Sequence, residues 1–557
     1  MKQEIITLIQ KAGQALGIDI PEVHLEHPDV VAHGDYSTNI ALVTAKRIGK
    51  NPRQLAEELK TEIEKNLPST IEKVEIAGPG FINFFLSREF FVSKTKEIHS
   101  SPDVLAQAKV GNGQKVVVEY SSPNIAKPFT VGHLRSTIIG DAVANILSAL
   151  GYQVIRDNHL GDWGTQFGKM IVAIKKWGDI EQIKKSHEPI HDLVDLYIKF
   201  HDEAEKDPSL ENEGREWFVK LEAGDKEARD IWSFCIERSL ASFKEIYTAL
   251  GVTNFDTWNG ESMFGAYIPD VIKSLEDKKL LKESEGATLV FFEGDKLPPL
   301  MIKKTDGSTL YATRDLATDM WRLREYGSDV RIINEVGGEQ SLYFKQLFEI
   351  EKMLGWVKDG QRVHVAHGLY RFKEGKMSTR KGNVIWLEDV IDEAVKRASA
   401  INPETGKAVA IGALKWNDLK RESSQNIVFD WDEILNLKGD SGPYIQYAYV
   451  RAQAIVDKAQ TEFGVRDIAD VPQEISLLER YLYRYDEVVT RAGKEYSPHY
   501  IATYLLELAS AFNAFYAEGM IVSKEADSAY RVALTAAFAK TVKSGLELLG
   551  IPVVTRM

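Results

Sequence analysis

The chain is predicted to be α/β, with a parallel-sheet core set between a small α/β domain and an all-helical one. Three observations predict this. Residues 114–431 alternate short β-branched runs with amphipathic stretches, the pattern of parallel strands joined by crossover helices. Before them, KVEIAGPGFINFFLS (73–87) alternates apolar residues and is punctuated by Gly and Pro. After Gly439 strand signals vanish, and apolar residues recur only at helical spacing. The expected boundaries are 1–108, 109–435 and 436–557, and the length of 557 residues suits about three to four domains.

The opening MKQEIITLIQKAGQALG reads as an amphipathic helix with early acids, not a signal peptide. HGDYSTN (33–39) reads, on its residues alone, as a turn leading into a helix cap. Lys115 to Tyr120 is the first core strand, with three consecutive valines. Ile138, Ile139, Ala142, Val143, Ile146, Leu147 and Leu150 then recur at helical spacing, so Arg135–Leu150 is a helix that Gly151 closes. The loop between strand and helix should carry chemistry, because ligands of a parallel α/β sheet bind outside the carboxyl ends of its strands. Helix N-termini also favour phosphate. Gly132 lets the backbone approach a ligand, and His133 can donate to charge developing on phosphate.

Gly178 to Arg238 is helical and highly charged, and is expected to be a solvated insertion between the two halves of the core, with no chemistry of its own. Leu310–Ala312 reads as a strand, which would aim Asp315 into the ligand crevice; Asp315 can equally be a helix N-cap. In the C-terminal helices, Tyr444, Tyr447 and Tyr449 suit either the core or stacking on unpaired bases.

Composition narrows the function classes. One cysteine, Cys235, rules out an intramolecular disulfide and any cysteine-rich zinc knuckle. No apolar run approaches the roughly 20 residues of a membrane helix, so a cytoplasmic location is expected. The net charge of -13 argues against RNA binding by bulk charge, so a basic face would be required.

The string SSPNIAKPFTVGHLRST (121–137), followed by RDNHLGDWGTQFG (156–168), resembles the first signature of class I aminoacyl-tRNA synthetases in the context typical of arginyl-tRNA synthetases. Lys376-Met377-Ser378-Thr379-Arg380-Lys381 resembles the second signature, in the MSTRKGN form seen in arginyl enzymes. The resemblance extends from HGDYSTNIA to Met557. It implies a Rossmann-type catalytic core, an N-terminal tRNA-contacting domain and a helical anticodon-binding domain. It also implies ATP-dependent activation of L-arginine to arginyl-adenylate and its transfer to tRNA(Arg). ATP is then a substrate, Mg2+ accompanies it, no zinc or prosthetic group is needed, and a monomer that does not engage membranes is expected.

The site residues follow from the same resemblance. Lys127, Thr130, His133, Lys376, Ser378 and Lys381 are expected to be catalytic. Thr130 stands where the first signature usually has His, and Thr379 where the second usually has its lysine. Lys127 is the substitute cation that arginyl enzymes lacking the loop lysine tend to carry, and Lys376, Arg380 and Lys381 add charge. Arginine is expected to meet Glu119, Ser122, Pro123, Asn124, His133, Tyr311, Asp315 and Gln340, with Asp315 on the guanidinium. Glu339 is the alternative to Gln340. ATP is expected to meet Thr130, Gly132, His133, His159, Gly161 and Met377. GDWG (161–164) can serve the site directly or merely as a glycine-bracketed turn. Three rivals remain: a class I synthetase for another amino acid, a silent synthetase-like RNA binder kept open by Thr130 and Thr379, and a small nucleotidyltransferase. The Asp315 and Tyr311 pair, the missing zinc cysteines and the helical C-terminus weigh against the first and third.

Overall fold

The computed structural model describes residues 1–557 except 103, 106, 107, 296, 306, 373–384, 437, 438, 465, 466 and 469. Two compact units form. One comprises Met1–Val104, Arg451–Tyr485 and Glu507–Val542; the other comprises Leu105–Val450, Asp486–Leu506 and Lys543–Met557.

In the first unit, strands β1 (Tyr36–Thr38), β2 (Ile71–Ala77) and β3 (Phe81–Leu86) form an antiparallel sheet in the order β1-β3-β2. The Gly-Pro-Gly stretch makes the hairpin between β2 and β3. Gly80 has φ +136, and a Cβ there would lie 2.9 Å from the Pro52 carbonyl oxygen, so only glycine fits. Alternation sends Ile82, Phe84 and Leu86 inward with Val74, against Ile5, Ile9, Leu55 and Leu59 of the first helices. HGDYSTN is more than a turn and a cap. Asp35 is buried, its Oδ2 accepts from the Leu86 N–H at 2.9 Å, and Arg480 pairs with Oδ1. Tyr483 joins the same core. Glu479 accepts from Arg88 at 2.5 Å and from the Tyr530 hydroxyl.

The second unit is built on a parallel sheet of β4 (Lys115–Glu119), β5 (Gln153–Leu160), β6 (Thr257–Gly260), β10 (Arg331–Gly337) and β11 (Arg362–His367), in the order β11-β10-β4-β5-β6. Its valines, Val116 to Val118, are fully buried because helices cover both faces. Strand order reverses between β4 and β10, so a crevice opens at their carboxyl ends. Three antiparallel strands, β7 (Leu281–Ser284), β8 (Ala287–Val290) and β9 (Leu300–Lys303), lie between β6 and β10 in sequence. Further on, β12 (Tyr370–Phe372) pairs with β13 (Ile427–Phe429). From Gly442 onward the described elements are all helices.

Two sequence expectations are corrected. The charged helices within 178–238 do not separate the halves of the core; they belong to the long crossover from β5 to its parallel neighbour β6. The strand TWNG is too short and polar to announce itself by periodicity. Leu310–Ala312 is not a strand either: a helix spans Tyr311–Tyr326. Ala312, Leu316, Ala317 and Met320 bury at helical spacing, and that amphipathic register overrides the short apolar-aromatic run. Among the described residues, no helix is long and apolar enough to cross a membrane.

Candidate active site

A cavity of about 530 Å³ opens at the carboxyl ends of β4, β5 and β10. Its first wall is the loop after β4. Ser121, Ser122 and Ala126 there have φ of +69, +43 and +52, a region costly to side-chain-bearing residues. The surroundings enforce it. The Ser121 N–H donates to Ser136 Oγ at 2.9 Å, and the Ala126 N–H donates to Ser239 Oγ at 2.9 Å. Ser121 Oγ sits 2.8 Å from Thr137 Oγ1 and 2.7 Å from the Tyr247 hydroxyl. Strain held by buried hydrogen bonds marks a prepared binding loop.

This loop is laced to the GDWG turn. The Ile125 N–H donates to the Gly161 carbonyl and the Gly161 N–H to the Pro123 carbonyl, both at 3.1 Å. A Cβ on Gly161 would fall 2.3 Å from Asn124 Oδ1, so any side chain there would push the Asn124 amide from its place on the cavity wall. Asn124, Ser122, Gly161 and Glu119 all line the cavity, and the Ser122 hydroxyl is buried with no hydrogen-bond partner among the described residues. Pro123 is buried and contributes its carbonyl to the lacing; it does not line the cavity. Glu119 lines the floor but is already engaged, accepting from Arg322 at 2.6 Å and Asn334 at 2.9 Å.

The helix Val131–Ala149 starts at the cavity with Thr130 as its N-cap, and Gly132 and His133 line the wall. His133 Nδ1 accepts from the Thr130 N–H at 3.0 Å. A backbone N–H only donates, so the neutral ring carries its proton on Nε2. Burial drives the His133 pKa down to about 4, so the ring is neutral at physiological pH. Thr130 does not line the cavity; its backbone bridges to Trp386, and the Val131 N–H donates to the Ile385 carbonyl at 3.1 Å. Lys127 does not line it either. It is half-buried, its pKa lowered by burial against the pull of Glu261. Lys376, Met377, Ser378, Thr379, Arg380 and Lys381 lie outside the described residues.

The opposite wall is acidic. Asp315 lies in the second turn of its helix, so it is not the N-cap; Leu310 is. Its Oδ2 accepts from the Tyr343 hydroxyl. Burial raises the Asp315 pKa to about 6, against the Tyr343 hydrogen bond and His159. Glu261 follows β6 directly, and its buried Oε2 has no hydrogen-bond partner among the described residues. Burial lifts its pKa to about 7. His159 lines the cavity against the Phe264 ring at 5.7 Å, and its buried Nδ1 has no hydrogen-bond partner among the described residues. Tyr311 is 67% exposed at the rim. Glu339 and Gln340 both line the cavity and both are exposed, so the register alternative stays open. Among the described residues, no group of three or more His, Cys, Asp or Glu is arranged to hold a metal ion.

Sequence reasoning missed Glu261, Tyr343 and the pair Glu335–His367, in which Glu335 Oε1 lies 2.8 Å from His367 Nδ1. Glu261 had one available signal, its place just past a core strand, but that strand was not recognised. Chemically the cavity offers, at one end, carboxylates that make no ion pair among the described residues and, at the other, a neutral imidazole donor on a helix N-terminus. It can hold a cation beside an anion.

The profile "tRNA synthetases class I (R), catalytic domain" matches residues 96–431, "Arginyl tRNA synthetase N terminal domain" matches 1–86 and "DALR anticodon binding domain" matches 445–557. The arginine–tRNA ligase of Halothermothrix orenii is 40% identical over 100% of this chain and 99% of its own length. That of Exiguobacterium is 42% identical over 97% of this chain and 96% of its own. In fold, the chain is similar to the arginyl-tRNA synthetase of Thermus thermophilus, with a TM-score of 0.83 at 24% identity over 100% of both chains. With 40% identity sustained over the full length and the catalytic profile spanning the sheet and its cavity, the chain belongs to the class I arginyl-tRNA synthetase family.

Proposed function

We infer that the chain is an arginine–tRNA ligase whose cavity binds arginine and ATP side by side. The observation that carries the reading is the pair Asp315 and Glu261. Both are half-buried, neither makes an ion pair with a cation among the described residues, and burial displaces both pKa values upward, for Glu261 even against the pull of Arg314. A guanidinium supplies the positive charge and the planar donors that such carboxylates lack. Asn124 and Ser122 then meet the amino-acid head group, with Tyr311 closing over it and Gln340 or Glu339 at the side. The arginine carboxylate attacks the α-phosphorus of ATP and pyrophosphate leaves. A ribose hydroxyl at the tRNA 3′ end then attacks the activated carbonyl and AMP leaves.

Catalysis is positioning and charge stabilisation. His133 Nε2–H donates to phosphate oxygen as charge develops there. Gly132, His159 and Gly161 shape the nucleotide side. Lys127 and the second signature (Lys376, Met377, Ser378, Lys381) supply cations and contacts around the phosphates, and Mg2+ enters with ATP. Segments 1–108 and 436–557 are the tRNA-contacting and anticodon-reading parts of a cytoplasmic monomer. The test is direct. Total tRNA is charged in the presence of ATP, magnesium and each standard amino acid in turn. Arginine alone should be esterified; charging of a different amino acid, or of none, would overturn the reading.

A further inference from the structure

Asp315 has one hydrogen-bond partner among the described residues, and it is a tyrosine from another element. Tyr343 lies in the first turn of the helix Ser341–Leu354, which follows β10. Packing fixes that turn. The Tyr343 ring sits edge-on to Phe344 at 5.7 Å, and Phe344 is buried and stacks on His364 at 4.6 Å. His364 Nε2 is in turn 3.1 Å from the Val336 carbonyl oxygen of β10. The hydroxyl donor is therefore anchored to the sheet and does not float with the substrate.

We propose that Tyr343 is a positioning and specificity-determining residue for arginine: by occupying Asp315 Oδ2, its hydroxyl fixes the carboxylate plane and leaves Oδ1 as the oxygen offered to the substrate guanidinium. Nothing in the sequence motifs assigns this role, and it rests on the reading of Asp315 as the guanidinium ligand. Without the donor, the Asp315 side chain is free to turn about its terminal torsion, a broad and weakly restrained one. The same hydrogen bond favours the ionised carboxylate, because it is donated to the charged form. The other charged groups around Asp315 are His159 from β5, Glu119 from β4, Asp319 from its own helix, and Glu261 after β6. Three of these four are acids, so Tyr343 and His159 are the neighbours that oppose protonation of Asp315.

The experiment is steady-state aminoacylation by the full chain carrying Tyr343→Phe, across about pH 5 to 8, with Asp315→Asn measured alongside. The arginine KM should rise about tenfold, the loss expected for a hydrogen bond to a charged group. kcat at saturating arginine and the KM for ATP should stay within about twofold. The acid limb of kcat/KM for arginine should move to higher pH, a shift that loss of packing alone would not produce. If Asp315→Asn binds arginine normally, the reading of Asp315 falls and this proposal falls with it. If Asp315→Asn weakens arginine but Tyr343→Phe retains both the unaltered KM and the unaltered acid limb, the positioning role alone is refuted. A uniform loss of every kinetic parameter with a lowered Tm and an unmoved acid limb would make Tyr343 structural, and would also refute it.

Discussion

Asp315 and Asp319 stand one turn apart on the same helix, and their surroundings treat them in opposite ways. Asp319 accepts from Arg322 at 3.0 Å and Arg362 at 2.7 Å. Burial works to raise its carboxyl, but the two guanidinium groups outweigh it and hold the pKa below its ordinary value. Asp315 is given a tyrosine hydroxyl instead, and burial wins, raising its pKa to about 6. Arg322 also binds Asp157 at 2.5 Å and Glu119 at 2.6 Å, and Arg362 binds Glu351 at 3.1 Å. The comparison separates scaffold from site. Where the protein supplies its own guanidinium, a buried carboxylate locks the helix to β4, β5 and β11. Where it withholds one, the carboxylate is the one we propose for the ligand's guanidinium. A half-buried carboxylate with no cation beside it is a cost that folding alone would not keep.

The comparison can be broken hardest on its paired side. Arg322→Met should destabilise the fold by about 3–5 kcal/mol, because three carboxylates lose one shared, fully buried partner. Denaturant unfolding measures this, and a near-normal midpoint would mean the network contributes little to holding the helix in place. On the unpaired side the loss should appear in binding and not in folding. Asp315→Asn should leave the Tm unchanged or higher, while arginine affinity falls by about 2–5 kcal/mol and the ATP KM holds. Steady-state kinetics with each substrate varied separates the two effects.

Glu261→Gln sharpens the same contrast with a smaller effect. It keeps the shape and removes the charge, so the arginine KM should rise about tenfold with kcat little changed. An unaltered KM would leave Asp315 as the only carboxylate that senses the ligand. The smallest expected effect is in proton uptake. With folded pKa values of about 6 and about 7, above their ordinary range, Asp315 and Glu261 contribute most to stability at low pH. That contribution is lost as pH rises through about 6 to 7. A bound guanidinium reverses the shift, so arginine binding should release up to about one proton near pH 6.5, roughly midway between the two values. Calorimetry in buffers of different ionisation enthalpy would detect it. Asp315→Asn should reduce the release, and a buffer-independent enthalpy would contradict the assignment of these two groups.

Much of the molecule is legible in the residues themselves. Consecutive valines at 116–118, a loop of Ser, Pro, Asn and Gly, and a helical repeat from Ile138 to Leu150 specify a strand, a ligand loop and a helix through local preference and periodicity. They place His133 at a helix N-terminus without any knowledge of the rest of the chain. The helical C-terminal region follows in the same way. What sequence could not decide is how each acid is paired. Asp157, Glu119, Asp315, Asp319 and Glu261 are alike as residues, and the elements that carry them are scattered from β4 to the helix after β9. Only the folded sheet brings Arg322 within reach of three of them and leaves Glu261 and Asp315 without an ion pair among the described residues. Local structure depends on neighbours within a few positions, whereas the charge state of a buried carboxylate depends on whichever groups the tertiary fold delivers, here from as far as 203 residues away in the Arg322–Glu119 pair.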